Sequence, residues 1–92
     1  MTAGDEPATK AYNFTSYSAD GETEYATGVA ETTGNTKTFN GQEYTEVEVK
    51  ENTIPEWVGM KFYIISTAQS GQKYDLYDQN GGEVGVKVMI GA

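Results

Sequence analysis

The chain has 92 residues, no cysteine, no histidine and a formal charge of −8. The absence of Cys and His excludes a disulfide framework, thiolate zinc and Fe–S sites, a Cys nucleophile and a Ser-His-Asp triad. All six basic residues are lysine, set against fourteen carboxylates, so no basic patch exists to neutralise nucleic-acid phosphates.

Residues 1–10 are small, acidic and aperiodic and read as a flexible lead. Residues 11–92 read as one β domain. The chain contains a single leucine, Leu76, but eleven aromatics and many Val, Ile and Thr, a composition that favours strands over helices. The first strand is expected over 11–18, with Tyr12, Phe14 and Ser16 on one face. Ser18-Ala19-Asp20-Gly21 turns the chain, and a long return strand follows over 22–32. Gly28 inside that strand suggests a bulge or a close backbone approach. Thr33-Gly34-Asn35 is expected to break the chain before an extended Thr36 to Phe39.

Asn40-Gly41 is a strong hairpin signal, because a type I′ turn requires positive φ at both central residues. Tyr44 to Lys50 then alternates. Thr45, Val47 and Val49 are expected to point inward, and Tyr44, Glu46, Glu48 and Lys50 to solvent. Pro55 forbids a central strand. Thr53 is expected to cap a single helical turn over Pro55 to Val58, closed by Gly59, with Ile54, Trp57 and Val58 forming a lid over one end of the core. Met60 to Thr67 is apolar on both faces and reads as a central strand. Lys73 to Asp78 and Val84 to Ile90 alternate again, separated by Asn80-Gly81-Gly82. Ile90 is expected to pin the C-terminal strand into the sheet. The fold class expected is all-β: a small antiparallel sandwich or barrel of six or seven strands with hairpin connections.

Little in this pattern carries chemistry. Glu46 and Glu48 form a carboxylate pair on one strand face, which reads as a charged outer surface rather than an acid/base pair. Asp78, Asn80 and Glu83 offer oxygens for calcium, but their spacing departs from the EF-hand loop and suits a hairpin turn. Asn13-Phe14-Thr15 is a glycosylation sequon in the middle of an expected strand. Gly81-Gly82 lacks the Lys and helix of a phosphate loop. No catalytic, cofactor or metal site is therefore expected.

The aromatic excess is the main recognition signal. Tyr17, Tyr44, Tyr63 and Tyr77 fall opposite the more apolar faces of their strands. With Trp57 they are the candidate interface residues, since exposed Tyr and Trp offer contact area at low entropy cost.

The chain is acidic, rich in Thr, Gly and Tyr, and free of Cys. In this it resembles accessory proteins of tailed-phage particles, such as capsid-decorating or tail-associated subunits. The likeness is one of composition and rests on no motif. Three functions remain open: a non-catalytic structural or interaction module docking on a larger assembly, a carbohydrate- or cell-surface-binding domain, and an acidic nucleic-acid mimic that inhibits a nucleic-acid-binding enzyme. The partners expected are a protein or a second copy of the chain, with a glycan as the alternative and neither nucleic acid nor membrane. The sequence shows neither a signal peptide nor a transmembrane run, so a cytoplasmic or particle-assembled protein is expected.

Overall fold

The computed structural model describes residues 11–91; the acidic lead at 1–10 lies outside the described residues. Six antiparallel strands close into a barrel in chain order: β1 (Ala11–Ser18), β2 (Glu24–Phe39), β3 (Gln42–Asn52), β4 (Lys61–Ile65), β5 (Lys73–Tyr77) and β6 (Glu83–Ile90). The architecture is thus the barrel form of the expected all-β fold. Closure is made by β6 pairing with β1, with Phe14 opposite Ile90 and Thr15 opposite Met89. The Gly91 amide continues the ladder by donating to the Asn13 carbonyl at 2.7 Å. The C-terminal strand is pinned as its apolar alternation implies, and closure removes the free edges that would template aggregation.

The turns follow local chemistry. Asn40 and Gly41 both take positive φ, 53° and 71°, as a type I′ turn demands. At the β1–β2 turn, Asp20 accepts hydrogen bonds from the Ser18 hydroxyl and the Glu22 amide. Asp78 holds the β5–β6 turn by accepting from the amides of Asn80 and Gly82. The carboxylate that suggested calcium is therefore engaged in turn-making.

The inward faces are as alternation predicts. Val49, Phe62, Ile64, Leu76 and Val88 meet Phe14 and Ala30 in one buried cluster. β4 has no polar face because both its sides are covered: Phe62, Tyr63 and Ile64 are all buried.

Three local expectations are corrected. First, Thr33-Gly34-Asn35 does not end the strand. It forms a bulge within a continuous β2, where the register to β3 shifts between Thr32 and Thr36. Gly34 absorbs the irregularity at φ 91°. Second, Thr53 does not cap the helical turn. A single 3-10 turn spans Pro55–Trp57 behind Ile54, without a side-chain cap bond. The Ile54 amide is instead taken by the Asn52 side-chain oxygen, while the Thr53 hydroxyl accepts from the Thr27 amide and ties the segment to β2. Third, Tyr44 and Glu46 do not face solvent; they are 5% and 8% exposed. The reason lies on the outer wall of the barrel.

Candidate functional site

Beyond the bulge, the distal β2–β3 hairpin sends Lys37 and Phe39 over the outside of β4 and β5. The Lys37 ammonium donates to the Gln79 carbonyl past the end of β5. The Phe39 ring stacks on Tyr44, with centroids 4.0 Å apart and planes 5° apart. It meets Tyr63 and Tyr77 edge-on at 6.5 and 5.5 Å. Tyr44 and Tyr77 meet at 5.0 Å. The result is a second, outer core of four rings joined by one stacked and three edge-on contacts, the latter a geometry that aromatic quadrupoles favour. It bridges a thin place in the sheet: β4 and β5 share a single registered pair, Tyr63 with Tyr77.

Glu46 lies beside this cluster. Its carboxylate accepts from the Thr33 hydroxyl at 2.6 Å and the Asn35 amide at 3.0 Å, and from the Tyr63 hydroxyl at 3.1 Å. The bulge therefore presents two donors to a carboxylate on the neighbouring strand. The hydrogen bonds from Thr33 and Asn35 hold the Glu46 carboxyl below its ordinary value of 4.5, outweighing the opposing effect of burial. Burial and the Glu46 carboxylate push the Tyr63 hydroxyl up.

A pH dependence follows. A carboxyl whose folded value is depressed contributes stability that is complete above its unfolded value and lost as pH falls through the folded one. Wild-type protein is therefore expected to lose unfolding free energy as pH drops below about 4.5, and Glu46→Gln to show a shallower slope there. Urea titrations at a series of acid pH values check this, and parallel slopes for the two proteins would remove Glu46 from the account.

The five candidate interface residues fall into three places. Tyr44, Tyr63 and Tyr77 come together in the outer cluster. Tyr17 stands apart on β1 with the Lys73 ammonium 4.3 Å from its ring centroid, and Lys73 also donates to the Gly21 carbonyl. Trp57 packs half-buried against the barrel core, as the lid reading expects. The rings of Tyr44 and Tyr63 are thus largely spent on intramolecular contact.

The large apolar groups left in solvent include Val58 at 50% and Met60 at 42% exposed, on either side of Gly59, and Tyr25 at 48%. Val58 does not join the lid expected of it: the 3-10 turn ends at Trp57, and extended backbone at Val58 leaves its side chain in solvent. Gly59, at φ 92°, turns the chain between the two apolar residues. Its amide and the Met60 carbonyl both bond to Val49, so the segment is held rigidly against β3.

The acidic run Glu43, Glu46, Glu48 and Glu51 is interrupted as a surface. Glu46 is buried in its clamp, and Glu48 pairs with Lys50 at 3.6 Å. Among the described residues no cluster of three or more acidic side chains is arranged to hold a metal ion, and no helix is long and apolar enough to cross a membrane.

The barrel interior contains a cavity of about 80 Å³, bounded by inward side chains of all six strands together with Trp57, Ser66 and Ala68. Comparison of the chain with family models, curated proteins and solved structures finds no match.

Proposed function

We propose that this domain is a non-catalytic interaction module that docks on a larger protein assembly through the rim carried by residues 54–60. The observation that carries the reading is the exposure of Val58 and Met60 on a segment anchored to β3 and β2. A rigid, apolar, solvent-facing pair beside a half-buried Trp57 is the kind of anchor that binds with little loss of conformational entropy. Its complement is a protein surface with an apolar hollow. A subunit of a phage particle, decorating a capsid or associated with a tail, is the setting the composition favours.

The two other readings draw less support. Sugar stacking needs free ring faces, and those of Tyr44 and Tyr17 lie against Phe39 and Lys73. Nucleic-acid mimicry needs a continuous acidic surface, and the clamp on Glu46 removes a carboxylate from the middle of it.

The test is a photo-crosslinker placed at Glu56, next to the apolar pair, in the presence of the host's assembled particles or lysate. A discrete crosslinked partner is expected, with binding weakened about tenfold or more by Val58→Ser with Met60→Ser while the thermal midpoint stays within a few degrees. Equal capture by the double variant, or a strict monomer with no discrete crosslink, would overturn the proposal.

A further inference from the structure

The interior cavity is large for a domain of this size. Packed protein interiors contain few voids bigger than one water molecule, whereas about 80 Å³ exceeds the share of liquid volume of two waters, at roughly 30 Å³ each. Its origin is readable in the strands. The inward positions of β2 carry Ala30 and Thr32, and those of β3 carry Thr45, Val47 and Val49. These short side chains face a ring of only six strands, and the single leucine, Leu76, supplies little bulk from the far side.

Water is a poor occupant. A buried water requires two to four polar partners. The lining is dominated by Val49, Phe62, Ile64, Leu76 and Val88, and two of its hydroxyls, on Thr45 and Ser66, already bond each other at 2.7 Å. A largely apolar space of this kind favours apolar occupants: cavities of about 150 Å³ take up benzene or xenon, and one of about half that volume admits only the smaller of the two.

A route inward also exists. Ser66, which lines one end, is exposed, and it begins the 66–72 connection beside the thinly paired β4–β5 seam. On the inner side of that seam Ile64 and Leu76 both line the cavity. Separating one registered pair opens the wall there, at a place the Phe39 cluster covers from outside.

From the cavity, its apolar lining and the seam beside it, we infer that the barrel interior is a binding site for very small, uncharged, apolar species of about xenon's size. The site is separate from the docking rim, and the two stand or fall independently.

Trp57 is the one tryptophan and lines the cavity, so its emission reports occupancy. Xenon dissolved under pressure is expected to quench Trp57 emission saturably, to raise the thermal midpoint and to shift the methyl resonances of Val49, Ile64, Leu76 and Val88. Two variants fill the space from different walls: Ala30→Leu, from buried β2, and Ala68→Leu, from the half-buried 66–72 connection, which is the safer of the two for folding. Either filled variant that folds is expected to bind xenon about tenfold more weakly or not at all. The rim variant Val58→Ser with Met60→Ser is expected to bind as wild type does. Methyl shifts that stay unchanged under high xenon pressure would overturn the inference. So would undiminished binding in the folded filled variants, or binding lost only in the rim variant.

Discussion

Tyr44→Ala is expected to lower the unfolding free energy by about 3–5 kcal/mol, the range for removing a large aromatic from a protein core. The alternation of β3 assigns Tyr44 to water, and on that basis its loss would cost almost nothing. In the folded barrel it is 5% exposed, stacked on Phe39 and in edge contact with Tyr77. Each such aromatic pair adds about 0.5–1.5 kcal/mol beyond area burial. The cost is raised further because Tyr44 links the hairpin to β5 across a seam with one registered pair. Urea unfolding of Tyr44→Ala beside Tyr25→Ala makes the comparison internal, since Tyr25 is 48% exposed and its replacement is expected to cost under about 1 kcal/mol. Equal effects of the two substitutions would mean that the outer cluster is surface decoration and not a second core.

Gly28→Ala is the second large expectation, at about 3 kcal/mol or more. The reason is contact and not backbone conformation. A Cβ at position 28 would stand 2.0 Å from the Glu51 carbonyl oxygen and 2.9 Å from the Asn52 Cα. Both neighbours are backbone, so no side chain can swing aside, and relief requires β2 and β3 to separate. The ladder already shifts register beside this point, between Val29 and Ala30. Separation would also pull on the bonds between Thr27 and Thr53 that anchor the rim segment. Hydrogen exchange checks the mechanism: the Thr53 amide should lose protection more than the amides of β6. Loss spread evenly over the barrel would instead indicate general destabilisation.

The two substitutions differ in how far the sequence could anticipate them. A glycine within an alternating strand already marks a close approach or a bulge, and Gly28 is both next to a register shift and pressed on the β3 backbone. Turns and inward faces were equally legible. Asn40-Gly41 needs positive φ wherever it stands, and a period of two places Val47, Val49, Ile64 and Leu76 on one side whatever the topology. The lack of a polar face on β4 implies cover on both sides, and Phe62, Tyr63 and Ile64 are all buried.

What covers that outer side was not legible. Alternation distinguishes two faces and labels the polar one as wet, so it assigns Tyr44 and Glu46 to solvent. They are dry because the Thr33–Asn35 bulge redirects the hairpin, lays Phe39 and Lys37 across two neighbouring strands and supplies the donors that Glu46 requires. The two donors from the bulge lie eleven and thirteen residues before Glu46, and β5 lies further still from Tyr44. The same limit applies to the candidate interface. Listing Tyr17, Tyr44, Trp57, Tyr63 and Tyr77 as large recognition groups follows from composition, but which rings turn inward depends on the neighbouring strands.

Residue type and contacts a few positions apart suffice for an all-β chain, its turns, its inward faces and the chemistries it lacks. Closure of the sheet into a barrel, the buried carboxylate and four rings outside it, the exposure of Val58 and Met60 and the underfilled interior arise from tertiary packing. Each of these is a sum over strands distant in the chain, where packing and not local preference sets the outcome.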